Sequence, residues 1–242
     1  MTDHFEELKE QVEGGVLYLV STPIGHRGDM SRRALAVISA ADVVAAEDTR
    51  HTGSLLASLD MSRRLTSYHE YNKKGATVGL LKALREGQSV ALVSDAGTPG
   101  LSDPGFILVR AAVEAGVTVT AVPGPSALLA ALVVSGLPTD AFTFTGFLPA
   151  KKGRRRKALA ALVDFPHTLI FYESPHRIIS TLADMAEIYG NRWACVCREL
   201  TKKFEEVRRG RLTDLANFYE TLKVRGEFTV VVAGARYDGT LQ

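Results

Sequence analysis

Asp95 and Asp103 stand in a twelve-residue stretch, Ser94-Asp95-Ala96-Gly97-Thr98-Pro99-Gly100-Leu101-Ser102-Asp103-Pro104-Gly105, directly after the apolar run Val90-Ala91-Leu92-Val93. Three Gly, two Pro and two Asp in such a loop bring backbone N–H and C=O groups close to a ligand. Gly permits close approach and positive φ, Pro removes conformational freedom, and Asp accepts hydrogen bonds from a hydroxyl or amine. Loops of the same make-up follow three other strand-like runs: Ser21 to Asp29 after Val16 to Val20, Pro123 to Ala127 after Val117 to Val122, and Glu173 to Arg177 after Thr168 to Tyr172. The side chains able to take a proton from a hydroxyl are Glu47, Asp48, His51, Asp95, Asp103, Glu173 and His176. Glu47 and Asp48 end an apolar run and Arg50 follows at once, a pattern that serves equally as a salt-bridged helix cap. His69 and His167 read as surface residues, whereas Tyr68-His69-Glu70-Tyr71 offers an aromatic and polar face suited to stacking an unpaired base.

Several chemistries are disfavoured by the residues themselves. Ser21 to Asp29 holds two glycines and has Pro23 where a free backbone N–H is wanted, so the dinucleotide fingerprint is absent. There is no phosphate-binding Gly-x-x-x-x-Gly-Lys-Ser/Thr loop and no Asp-x-Gly-x-Gly opening. No Cys/His group has metal-ligand spacing, and no metal is expected. What remains is a small adenine-nucleotide-like ligand in a cleft lined by Gly and Pro.

The elements that must position these loops follow from patterning. Apolar runs at 16–20, 43–46, 90–93, 117–122, 142–145, 168–172, 193–197 and 228–233 alternate with helical patterns near 31–40, 51–58, 75–86, 104–115, 126–135, 154–163, 175–189 and 211–221. Alternation of this kind predicts an α/β fold with mixed sheets flanked by helices. The Pro123-Gly124-Pro125 stop suggests a polar tail over 1–14, an N-terminal α/β domain over 15–122 with four strands, and a C-terminal α/β domain over 123–242. With 242 residues, 46% of them hydrophobic, the chain can bury a sizeable core. Its longest apolar run, Ala127 to Val134, is far below the roughly 20 residues that span a bilayer. The acidic, polar start does not read as a secretory signal, so the cytoplasm is the expected compartment. Cys195 and Cys197 point to one face of a strand and read as buried thiols that do not bridge.

Net charge is only +2, but it is unevenly spread. Lys151-Lys152-Gly153-Arg154-Arg155-Arg156-Lys157 puts six cations in seven positions, and Arg208, Arg209 and Arg211 form a second group. Cations in the first turn of a helix oppose its dipole, so the first run is expected to hold a polyanion rather than to stabilise the fold.

Taken together, the segments Leu19 to Gly25, Ala45-Ala46-Glu47-Asp48-Thr49-Arg50-His51-Thr52, Ser67-Tyr68-His69-Glu70, Ser94 to Gly105, Pro123 to Ala127, Gly146-Phe147-Leu148-Pro149, Phe171 to Arg177 and Arg198-Glu199-Leu200-Thr201-Lys202 closely resemble one family. It is the tetrapyrrole-methylase-like superfamily of S-adenosylmethionine-dependent methyltransferases and, within it, the bacterial branch that modifies small-subunit ribosomal RNA. One departure is His26-Arg27, where the family usually carries Asn-Leu. The resemblance implies two α/β domains with S-adenosyl-L-methionine in the cleft between them, and a homodimer. It places the cofactor against Pro23, Ile24, Ser94, Asp95, Ala96, Gly97, Pro125, Ser126, Tyr172, Glu173, Leu200, Glu227, Phe228 and Thr229. It further implies methyl transfer to the ribose 2′-oxygen of a cytidine in the decoding region of 16S ribosomal RNA, with the RNA alone or the small ribosomal subunit as partner. Asp48 and Asp95 are then the expected catalytic carboxylates, and Arg50, Lys151, Lys152, Arg154, Arg155, Arg156, Arg177 and Arg198 the expected RNA contacts. The rival readings are C-methylation of a tetrapyrrole and a non-catalytic RNA-binding assembly factor.

Overall fold

The computed structural model describes residues 4–239, which divide after Ser126 into two compact units. In the first unit five strands, β1 (Val16–Val20), β2 (Val43–Ala46), β3 (Leu65–Ser67), β4 (Val90–Val93) and β5 (Thr118–Val122), form one sheet in the order β3-β2-β4-β1-β5. Every pairing is parallel, so this sheet is not mixed as the alternation had suggested. The helices are α1 (His4–Glu10), α2 (Arg32–Ala40), α3 (Thr49–Ala57), α4 (Lys73–Arg85) and α5 (Phe106–Glu114). The polar start thus carries a helix, and its first three residues lie outside the described range.

Side chains alternate across the strands. Val16, Tyr18, Val20, Val44, Ala46, Ala91 and Val93 pack with Ala34, Val37 and Ile38 of α2 and Leu56 of α3. Leu17, Ala45, Val90 and Leu92 pack on the other face with Leu80 and Leu84 of α4 and Leu108 and Ala112 of α5. Burial of both faces is why β1, β2 and β4 read as continuous apolar runs. It also fixes where a ligand can enter. The chain leaves β1 and β2 towards one face and leaves β4, which lies between them, towards the other, so a crevice opens at the carboxyl end of β4 on either side. The fifth strand, β3, was not expected, being three residues, Leu-Thr-Ser, of which none is fully buried.

The second unit holds α6 (Ala127–Ser135), β6 (Phe142–Phe147), α7 (Lys152–Ala160), β7 (Thr168–Glu173), α8 (Ile178–Tyr189), β8 (Trp193–Arg198), β9 (Glu206–Arg211), α9 (Leu212–Glu220) and β10 (Phe228–Val232). Its sheet runs β6-β7-β10-β8-β9 and is mixed, with β6 parallel to β7 and the other pairs antiparallel. Leu169, Phe171, Val196, Phe228, Val230 and Val232 pack against Leu159 of α7, Ile178, Leu182 and Met185 of α8, and Leu212, Leu215 and Tyr219 of α9. Cys195 and Cys197 point away from that core; both are buried and unbridged, with Sγ atoms 3.7 Å apart.

The second basic group lies on β9, an edge strand the sequence did not reveal. Arg208 stacks 3.5 Å over the Phe218 ring, Arg211 4.5 Å over Trp193, and Arg209 donates to the Val134 carbonyl. Charged edges of this kind discourage strand addition by a second chain.

Candidate active site at the carboxyl ends of the parallel strands

The loops after β1, β4 and β5 are stitched to one another. Thr22 and Gly97 exchange backbone hydrogen bonds of 2.9 and 3.0 Å. The Thr22 hydroxyl donates to the Ser94 carbonyl at 3.0 Å, the Ser21 and Thr98 hydroxyls lie 3.1 Å apart, and the Thr98 hydroxyl reaches the Pro125 carbonyl at 3.5 Å. Gly97 has φ +84°, open to glycine and costly for other residues; a Cβ there would stand 3.5 Å from Ile24 and 3.7 Å from the Pro125 carbonyl oxygen. Gly124 approaches so closely that a Cβ would lie 2.8 Å from Ser21 Cβ. Pro23, Ile24, Ser94, Asp95, Ala96, Gly97, Pro125 and Ser126 are thereby gathered at one end of the first sheet. His26 Nδ1 accepts from the Gly28 N–H at 3.1 Å and caps a short turn, which gives that departure a local structural role. The staples Ser21, Thr22 and Thr98 were not singled out in the sequence, because a hydroxyl in a Gly/Pro loop carries no signal of its partner.

Beside this loop knot stand carboxylates of unlike character. Asp48 caps α3, accepting from the Arg50 N–H at 2.8 Å and the His51 N–H at 3.4 Å, while the Arg50 guanidinium grips it at 3.1 and 2.8 Å. The hydrogen bonds from Arg50 hold the Asp48 carboxyl's pKa well below the usual carboxylate range. A carboxylate this well satisfied has little affinity for a proton, which argues against Asp48 as the base. Arg50, in turn, is engaged with Asp48, although its side chain is 89% exposed.

Asp95 differs. Its Oδ1 accepts from the Asp48 backbone N–H at 3.0 Å, tying the β2 and β4 ends together. Register pairs Ala46 with Val93, so Glu47 emerges opposite Ser94. Asp103 lies further along the same loop, next to Ser102, whose φ is +67°. Burial, then the charges of Glu47 and Asp95, push Asp103 up to about 7, with a hydrogen bond to Ser94 acting the other way. The Ser94 hydroxyl also lies 3.0 Å from the Gly97 carbonyl, and it has one proton to give. Glu47 is raised as well, by burial first and by Asp95 and Glu70 next. Among the described residues no three His, Cys, Asp or Glu side chains are placed to share a metal ion.

In the second unit, Tyr172, Glu173, Leu200, Glu227, Phe228 and Thr229 also come together. Phe228 pairs with both Glu173 and Arg198, so these residues crowd one end of the sheet, where β7 and β8 finish and β10 begins. The side chain of Glu173 is spent on the fold: it is fully buried and accepts from Ser174 N–H at 2.7 Å, Thr181 Oγ1 at 2.8 Å and Arg177 at 2.7 Å. Glu173 and Arg177 satisfy each other, and Arg177 also donates to the Leu148 carbonyl at 2.9 Å, which ties both side chains to the fold. Arg198 donates to the Arg225 carbonyl at 2.7 Å, and Glu227 pairs with Lys202 at 2.8 Å.

The run at 151–157 divides in the same way. Lys151, Lys152, Arg154 and Lys157 are exposed, but Arg155 is buried against Asp184 at 2.7 Å, and Arg156 bonds Asp184 at 3.0 Å and Glu187 at 2.6 Å. Arg155 and Arg156 thus clamp α7 onto α8, correcting the expectation that the whole run leaves the fold alone.

A first sheet parallel throughout, a second sheet mixed, and Gly/Pro loops stitched at strand ends define the methyltransferase fold of the tetrapyrrole (corrin/porphyrin) methylases. The chain belongs to that family, whose profile matches residues 16–216. Among solved structures it resembles a cobalt precorrin-4 methyltransferase, with TM-score 0.65 and 18% identity over 92% of this chain and 96% of the other. It likewise resembles the uroporphyrin-III C-methyltransferase of Thermus thermophilus complexed with S-adenosyl homocysteine, with TM-score 0.62 and 20% identity over 90% and 97% of the two chains. Within the family its relatives include proteins named ribosomal RNA small subunit methyltransferase I. The one from Micromonospora olivasterospora is 52% identical over 93% of this chain and 72% of its own, and the one from Xylella fastidiosa 52% identical over 91% and 82%.

Proposed function

We propose that this protein transfers a methyl group from S-adenosyl-L-methionine to the ribose 2′-oxygen of a cytidine in the decoding region of small-subunit ribosomal RNA. The observation that carries the reading is a carboxyl group, Asp103, held near neutrality beside Glu47 and Asp95 at the β4 crevice of a chain whose relatives bear that methyltransferase name. The residues present fit the cofactor. Gly97 leaves the loop surface free of a Cβ, and Glu47, Asp95 and Asp103 lie close enough to influence one another, an anionic setting that suits a sulfonium and an ammonium group. Tyr172, Leu200, Glu227, Phe228 and Thr229 belong to the same proposal as second-unit contacts. When bound, the cofactor supplies an electrophilic methyl carbon.

The chain's own contribution is alignment and proton removal. Asp103 replaces Asp48 as the base: it takes the proton of the ribose hydroxyl, so that the oxygen can attack the methyl group that the bound cofactor would supply, with the sulfur as the leaving atom. A carboxyl titrating near 7 is ionised often enough to be present and basic enough to accept, which a strongly stabilised carboxylate such as Asp48 is not. Asp95 positions the β2 end through the Asp48 N–H and keeps Asp103 proton-hungry by its charge. Exposed Lys151, Lys152 and Arg154, with the partly exposed Arg198, remain the phosphate contacts, and the working form is a cytoplasmic homodimer. Incubation of small subunits and of naked 16S ribosomal RNA with methyl-labelled cofactor, followed by nucleoside mass spectrometry, tests the reading. A methyl on cytidine O2′ supports it. A methyl on a nucleobase, transfer only to a tetrapyrrole, or RNA binding with no transfer would each replace it.

A further inference from the structure

Immediately after β3 the chain makes the turn Tyr68-His69-Glu70-Tyr71-Asn72 that leads into α4. Its two tyrosines have opposite fates. Tyr68, which the sequence offered as part of a stacking face, is wholly buried with its hydroxyl 3.2 Å from Thr77 Oγ1, whereas Tyr71 is 97% exposed. The turn that carries Tyr71 is pinned. Asn72 Oδ1 accepts the His69 N–H at 2.8 Å, its Nδ2 donates to the Ser67 carbonyl at 3.0 Å and the Ser67 hydroxyl at 3.2 Å, and its own N–H donates to His69 Nδ1 at 3.3 Å. That last bond makes Nδ1 the acceptor and leaves the neutral imidazole's proton on Nε2. The His69 and Tyr71 rings meet edge-on, 6.1 Å between centroids.

This turn belongs to the neighbourhood of the carboxylates. The Tyr68 N–H donates to the Ala46 carbonyl at 2.8 Å, one residue before Glu47, and Glu47 feels the charges of Glu70 and His69. The first turn of α4 carries Lys73 and Lys74 and no acid. Two cations at a helix start oppose the dipole, so helix stability does not explain them. Lys73 is paired with Glu70, while Lys74 is exposed.

We propose that Tyr71 is the platform on which an unpaired nucleobase of the RNA stacks beside the reacting ribose, with Lys74 meeting the adjoining phosphate. The inference rests on the RNA-methyltransferase reading and adds the residue that holds the base. A flat ring on a turn pinned close to a strand end tolerates any base, and its backbone loses little freedom on stacking.

The test measures two quantities on the full chain, with small ribosomal subunits and with a naked 16S ribosomal RNA transcript: binding by filter retention, and methyl transfer to each. Tyr71→Ala is expected to weaken RNA binding by roughly 5- to 150-fold, the range spanned by one base–aromatic stack. Tyr71→Trp should stay near the wild type, Tyr71→Leu should resemble Tyr71→Ala, and cofactor affinity by calorimetry should hold in all three. Wild-type RNA affinity in Tyr71→Ala overturns the proposal, as does a change in its sedimentation mass, which assigns the ring to a contact between copies. If the wild type binds either substrate and transfers a methyl to neither, the functional reading fails while the binding comparison still decides the role of Tyr71; if it binds neither, both fail.

Discussion

Acidic side chains in the two units are drawn from the same residue types and behave in opposite ways. In the second unit Glu173, Asp184 and Glu187 each face an arginine, and Glu173 and Asp184 are buried. In the first, Glu47, Asp95 and Asp103 crowd one another at the strand ends, and the nearby Arg50 is taken by Asp48. Burial alone raises a carboxyl, and a buried partner of opposite sign cancels that rise. The paired acids therefore lock helices to a sheet, whereas Asp103, buried beside other acids, is left able to exchange a proton near neutral pH. A counter-charge, more than residue type or depth, separates architecture from chemistry here.

Removing the base should break this contrast most sharply. Asp103→Asn is expected to lower single-turnover methylation by about 10²–10⁴-fold with cofactor saturating, while Asp48→Asn stays within a few-fold. The wild-type rate should fall as pH drops through about 7, where Asp103 takes up a proton. Stability has its own sign. The folded state raises this acid above its unfolded value near 3.8, so its stabilising contribution is present below that value and is lost as pH rises through about 7. Chemical denaturation should accordingly show Asp103→Asn gaining on the wild type between pH 4 and pH 8.

On the paired side, Arg155→Met takes from Asp184 its buried partner and leaves it Arg156 alone, so the loss in urea unfolding should approach but not reach the roughly 3–5 kcal/mol of a fully broken buried pair, with Asp184→Leu added to the same chain recovering most of it. If Arg155→Met barely moves the midpoint, the clamp between α7 and α8 is not what its geometry suggests. Gly97→Val places a β-branched residue at φ +84°; a strain of about 1–3 kcal/mol is expected, and calorimetry should find cofactor affinity lost. Smallest is the effect of the exposed cations. Lys151, Lys152 and Arg154 changed together to Gln should leave the melting temperature alone and flatten the salt dependence of RNA binding by roughly 0.7 log unit per lost phosphate contact.

Much of this arrangement was legible in the chain. Strands β1, β2 and β4 were readable because both their faces are buried, and the loops after them because Gly and Pro punctuate a chain regardless of context. Strand β3 was too short to show a period, and β9, Glu-Val-Arg-Arg-Gly-Arg, hides its pairing behind edge charges. Site chemistry was legible by residue type but not by state. Nothing in the spacing tells Asp48, satisfied by its own helix, from Asp103, which Glu47 approaches from another strand end. The partner of Arg155 lies 29 residues away, yet a local hint existed, since Arg155 and Leu159 are four apart and share the buried stripe of α7. Tyr68 and Tyr71 likewise differ only by which side of a turn each occupies.

The reciprocal bond pair between Thr22 and Gly97 bears on how the ligand loops open. Loops are ordinarily the least protected part of a protein, fluctuating on their own at little cost in free energy. Here the amide protons of Thr22 and Gly97 are shielded by each other's carbonyls, and the residues lie two and four positions beyond the adjacent central strands β1 and β4. Freeing either loop requires breaking both bonds, so the amides of Thr22 and Gly97 should exchange with deuterium at a common slow rate, tracking the sheet rather than the surface.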